Sequence, residues 1–128
     1  MGSTLSTLGA LVLVTVLCGD MVRRTAAGTF RRNGIYGLRL ASTLASDEAW
    51  EAGHRAALPY LKVTGWFGVV MAVITVALVL GFVVSGNGVP EAVVAVPLGA
   101  LCVQVVGMIV GTVAAGKAAR KVPPGERP

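Results

Sequence analysis

Three long apolar runs alternate with segments that hold nearly all the charge. The runs cover about residues 5–22, 61–84 and 91–116. Each approaches or exceeds the ~20 residues with which a helix crosses the hydrocarbon core. A polar connection, 23–60, joins the first two, a short turn-rich stretch, 85–90, joins the second and third, and a basic, Pro-containing tail occupies 117–128. This pattern predicts an all-α integral membrane protein forming one domain. It has three transmembrane helices, a loop that contains a short amphipathic helix, and a disordered tail.

Within the runs, polar and small residues are the informative ones. Thr15 and Cys18 can satisfy themselves on their own helix backbone. Asp20 closes the first run just before Arg23 and Arg24. It is either an interfacial acid paired with those arginines or a carboxylate turned into the helix bundle. No basic residue precedes the first run and no small-residue cleavage site follows it, so a retained helix is expected rather than a secretory leader. Pro59 is placed to begin or kink the second helix, and Trp66 and Phe67 sit where aromatic rings anchor at headgroup level. Gly68 and Ala72 make a small-residue pair. In the third run Pro97 marks a bend, and Gln104 needs a hydrogen-bonding partner on another helix. Gly107, Gly111 and Ala115 form a stripe at spacing four that allows close helix approach, within one chain or between copies in a homo-oligomer.

Composition sharpens the class. The chain of 128 residues is 55% hydrophobic with a mean hydropathy of +0.77, and 13% of its residues are charged. That is about half the charge of an ordinary soluble domain. All 11 Lys and Arg lie between residues 23 and 62 or from 117 onward. By the positive-inside rule both basic segments face the cytoplasm, which places the N-terminus outside and the C-terminus inside the cell membrane. The net charge of +5 therefore reads as topology and attraction to anionic headgroups of the lipid bilayer, not as nucleic-acid binding.

The polar connection is too patterned to be a tether. Asn33-Gly34 is a turn signal. Ser46 followed by Asp47 and Glu48 is a helix start, a hydroxyl cap with acids in the first turn. Trp50, His54, Ala57 and Leu61 then recur on one helical face, with Glu51 and Arg55 paired on another. That amphipathic helix is expected at the membrane surface, with Trp50 as an interface anchor. Arg39 is a candidate for binding a lipid phosphate or Glu48, though topology alone accounts for a basic residue there.

Asn33, Gly37, Arg39, Thr43, Ser46, Glu48, Trp50 and His54, in this order and spacing, resemble the signature of the SdpI family. These are small bacterial membrane proteins named for an immunity protein against a secreted toxic peptide. The chain departs from the family pattern at Leu40 and Ala41, where Thr-Pro is usual. The resemblance implies immunity or tolerance toward a membrane-active peptide toxin. It also implies signalling in which a cytoplasmic repressor is sequestered at the membrane, for which the loop is the one large surface. The competing classes are a small transporter and a lipid-handling or accessory subunit of a membrane complex.

Catalysis has little support. His54 is the single histidine, so no histidine cluster can hold a metal. Cys18 and Cys102 lie in different runs at different depths, which argues against a disulfide. Ser42, Thr43 and Ser46 share the loop with His54, but no spacing makes one of them a nucleophile. No cofactor or catalytic residue is expected.

Overall fold

A computed structural model describes residues 1–124. Three helices carry the chain: α1 (Gly2–Ala27), α2 (Asp47–Val84) and α3 (Ala95–Arg120). Short 3-10 turns at Thr43–Ala45 and Glu91–Val94 lead into α2 and α3. All three helices are long and apolar enough to cross a membrane, and no strand occurs among the described residues.

Side-chain neighbours fix the packing. Cys18 and Thr15 of α1 face Gly65 and Gly68 of α2, so these two helices run antiparallel. Gly53 faces Ala115, Tyr60 faces Gly111 and Thr64 faces Gly107, which makes α2 and α3 antiparallel as well. α1 and α3 therefore run the same way. The end of α1, the start of α2 and the end of α3 share one end of the bundle, and so do the described basic residues.

The interior reverses the pattern of a water-soluble protein. Thr4, Thr64, Thr75, Gln104, Ala100 and Ala115 are buried, whereas Leu13, Val73 and Ile109 are among many exposed apolar side chains. Lipid solvates apolar side chains as well as the interior does, so small and weakly polar residues take the helix contacts. The stripe of Gly107 and Gly111 is used within the chain. Gly111 lies against Tyr60 and Ala57, and Gly107 against Thr64. Gln104 finds its cross-helix partner in Thr15, whose hydroxyl it reaches with Nε2 at 2.9 Å. Thr15 in turn donates to the Leu11 carbonyl on its own helix.

The structure bears on four of these expectations. The helix that begins at Asp47 is not a separate surface element but the first part of one continuous 38-residue helix. Pro59 neither starts nor stops it, because the Arg55 carbonyl is the single group that loses its donor while packing on both sides holds the helix together. Pro97 sits in the first turn of α3, where its missing N–H costs nothing. The tail is helical through Arg120, and 125–128 lie outside the described residues.

Candidate functional site

The site is a cap over the basic end of the bundle. α1 stops at Gly28, whose left-handed backbone (φ 71°) turns the chain back over the helix end. Residues 29–46 then form a strap that crosses α2 and reaches α3. Asn33 sets its first bend, since Oδ1 accepts the N–H groups of Ile35 and Tyr36 at 2.8 and 3.0 Å. Ser46 ends the strap and starts α2, accepting the Ala49 N–H at 3.0 Å.

Trp50 and His54 are the centre of the cap. Both are buried, each 1% exposed. Trp50 Nε1 donates to the Phe30 carbonyl at 2.9 Å. His54 stacks on Trp50 with ring centroids 4.2 Å apart and meets Phe30 edge-on at 4.8 Å. The Leu38 N–H donates to His54 Nε2 at 3.0 Å. Nε2 is therefore the unprotonated nitrogen, and Nδ1 carries the proton, which it donates to the Trp50 carbonyl at 2.9 Å. His54 lies before the apolar run opens at Leu61. Burial there holds its pKa below the ordinary imidazole value, against a smaller opposing effect of the Trp50 carbonyl.

Gly37 and Thr43 make the strap fit. Gly37 has φ 122° and lies flat against the two rings, where a Cβ would come within 2.8 Å of the Trp50 ring. Thr43 is fully buried, its hydroxyl donating to the Leu38 carbonyl at 2.7 Å and accepting the Leu40 N–H at 2.9 Å. Its methyl lies against Gly53 of α2. Tyr36 ties the strap to α1 by donating its hydroxyl to Asp20, which raises the tyrosine pKa. Asp20 also pairs with Arg24 at 3.0 Å and Arg23 at 3.4 Å, so it is the interfacial, arginine-paired carboxylate and a strap anchor as well.

The structure thus brings Gly37, Thr43, Trp50 and His54 into one contact set, with Asn33 and Ser46 shaping its two ends. Arg39 and Glu48 do not join. Both are exposed, and neither makes an ion pair or side-chain hydrogen bond among the described residues. Trp50 is not a lipid-facing anchor, because Phe30 and the strap occupy its surroundings. The apolar face of the first turns of α2 rests on protein. Phe30, Tyr36, Leu38 and Gly53 are site residues that the sequence reading passed over. Of these only Gly53 carries a signal, the small-residue spacing of four that it makes with Ala57.

A model of the SdpI/YfhL protein family matches residues 29–115. The chain belongs to the SdpI/YfhL protein family. The match opens at the start of the strap and ends where α3 meets Gly53, so it takes in the cap except its α1 contributions and the contact of the strap with Gly116. No curated protein and no solved structure matches the chain. At the two positions where the chain departs from the usual Thr-Pro, Leu40 packs its side chain against Gly116 of α3. Ala41 makes no backbone hydrogen bond among the described residues, so a proline there would forfeit nothing.

Proposed function

We propose that this protein protects its own membrane against a membrane-active peptide, as its family resemblance implies, and that the cap is the part that carries the function. In this reading α1 runs inward from an outside N-terminus, and the strap and the end of α3 face the cytoplasm. The observation that carries it is the burial of Trp50 and His54 beneath a hydrogen-bonded strap. Membrane insertion requires none of these residues, yet six of the eight motif positions build this one structure. The reading is of binding rather than catalysis. Both His54 nitrogens and the hydroxyls of Thr43 and Ser46 are already engaged with the chain's own backbone. Arg39 and Glu48, exposed on the cap, are the natural contacts for a cytoplasmic partner such as a repressor.

The test is survival under peptide-toxin challenge at matched membrane levels. Trp50→Ala and His54→Ala should abolish protection by loosening the strap. Arg39→Lys should keep insertion but weaken protection, because lysine offers a point charge where arginine offers a planar fork. Single cysteines at Asn87 and Ile35, in a background lacking Cys18 and Cys102, fix the orientation. An impermeant thiol reagent should label Asn87→Cys and not Ile35→Cys in intact cells. Wild-type survival of all three cap variants, or the opposite labelling pattern, would sink the proposal.

A further inference from the structure

A cavity of about 340 Å³ opens beside the cap, between the end of α1, the start of the strap and the first turns of α2. Its volume lies at the lower end of the range for small-ligand sites, roughly 300–1,000 Å³. Three kinds of group line it. The strap contributes Arg31 and Arg32, α2 contributes Asp47 and Glu51 at i,i+4 on one face, and the rings of Phe30 and Trp50 are shared with the cap.

The cations and anions are not equivalent in what they have left to offer. Arg32 is committed at two nitrogens, donating to the Leu44 carbonyl at 2.8 Å and pairing with Asp47 at 3.2 Å. Glu51 pairs with Arg55 on the outer side of α2. Arg31 makes no side-chain hydrogen bond or ion pair among the described residues, although its guanidinium group carries five donors. Thr25 also lines the cavity. It is 6% exposed, and its hydroxyl has no hydrogen-bond partner, a state that costs free energy unless something else supplies one. The lining therefore offers a free guanidinium and two carboxylates, each of which meets its arginine through one oxygen only. The second oxygen of each carboxylate remains an acceptor for an ammonium group.

Position narrows the occupant. Thr25 lies one turn beyond Val22, where the first apolar run closes, and α2 enters its own run at Leu61. The α1 side of the cavity thus lies just beyond the hydrocarbon, beside the lipid headgroups, and its α2 side reaches outward from there. We propose that the cavity holds the headgroup of a zwitterionic phospholipid of the ethanolamine class, its phosphate on Arg31 and its ammonium group toward Glu51 and Asp47. A purely anionic headgroup would meet Arg31 equally well but would lie against two carboxylates, so the site selects for the amine. The inference stands apart from the protective role, because it concerns the purified protein with no peptide present.

The experiment titrates the full chain, purified in a maltoside detergent, with short-chain phosphatidylethanolamine, short-chain phosphatidylglycerol and water-soluble glycerophosphoethanolamine. Thermal unfolding is the readout. The expected result is saturable stabilisation by the ethanolamine lipid, weaker by the glycerol lipid and weakest by the soluble headgroup. Arg31→Ala should weaken binding of both lipids about tenfold, the loss of one charge-assisted contact. Glu51→Gln should keep phosphate binding and erase the preference for the amine. Lys117→Ala, at the same end of the bundle but outside the cavity, controls for general surface charge. Equal losses in Arg31→Ala and Lys117→Ala would reduce the effect to surface electrostatics and overturn the site. Glycerophosphoethanolamine binding as tightly as the lipid would overturn the lipid as its source. Arg31 and Glu51 are both exposed, and unchanged circular dichroism would confirm that the variants fold.

Discussion

Gly37→Ala is the sharpest probe of the cap, because two separate penalties act at one atom. A non-glycine residue at φ 122° costs on the order of 1–3 kcal/mol in backbone strain. The added methyl would also stand 2.8 Å from Trp50 Cη2, 3.0 Å from Cζ2 and 3.1 Å from His54 Nε2, so something must move. The rings cannot retreat freely, since Phe30 backs them with centroids at 5.3 and 4.8 Å. If the strap lifts instead, the Leu38–His54 hydrogen bond goes, and if Trp50 tilts, its bond to the Phe30 carbonyl goes. Each is worth about 1 kcal/mol. The cap should lose about 2–4 kcal/mol, while the helices beneath remain folded. Hydrogen exchange at the Leu38 amide is the direct assay, and about 3 kcal/mol should accelerate it roughly a hundredfold. Trp50 emission in a Trp66→Phe background is a second probe. Gly86→Ala provides the reference, having φ 74° and no atom within 4 Å of its built Cβ, so it carries the strain without the contact. Unchanged Leu38 exchange in Gly37→Ala, or a global loss no larger than that of Gly86→Ala, would refute the reasoning.

Two further outcomes follow from the same geometry. Gly111→Leu should destabilise the bundle in detergent by about 1–3 kcal/mol, the usual cost of overpacking, since its Cβ would already lie 3.5 Å from Tyr60 Cβ and 3.9 Å from Ala57 Cβ. Gly9→Leu, with open space around it, should not, and equal melting of the two variants would show that α2 and α3 do not meet there. His54 couples the cap to pH: its folded pKa lies below the unfolded value of about 6.5, so the unfolded state takes up the proton first. Its contribution is thus constant above about pH 6.5 and declines as the pH falls through that value toward the folded pKa. Protonation would also place a hydrogen on Nε2 against the Leu38 N–H. Leu38 protection, taken relative to the intrinsic exchange rate at each pH, should fall on acidification in the wild type and stay flat in His54→Gln, and a pH-independent wild-type protection would contradict the assignment.

The parts of the fold set by solvent and period were legible in the sequence. Three runs of apolar residues became three helices, because membrane insertion depends on length and composition alone. Trp50, His54, Ala57 and Leu61 share a buried face, as helical spacing requires. The stripe of Gly107 and Gly111, left open between one chain and two, is used within one. What lay against the Trp50 face was not legible. Phe30 and Leu38 bring their side chains to the cluster from an aperiodic segment and are held there by a carbonyl and an N–H, which every residue possesses and no side-chain pattern announces. The strap has no period, so nothing in its spacing places Tyr36 on Asp20, 16 residues away. Glu48, one of the two partners considered for Arg39, does not meet it, for the opposite reason. Complementary charge names a possible pair, but exposed ions gain too little in water for charge to set geometry.

The continuity of α2 has a thermodynamic consequence. At 1.5 Å per residue its 38 residues measure about 57 Å, against about 30 Å of hydrocarbon, and the stretch before Leu61 alone is about 21 Å. Trp50 and His54 therefore sit on a part of the rod that stands clear of the acyl chains. Closing the strap over Phe30, Leu38 and Trp50 withdraws apolar surface from water, a force that fades on cooling and under urea and leaves a heat-capacity signature. Where the same helix meets α1 and α3 inside lipid that force is missing, and van der Waals fit and the Gln104 bridge hold the contact instead. One helix thus joins two cores that answer to different solvents. The stability of the cap answers to the properties of water, while the bundle below it is indifferent to them.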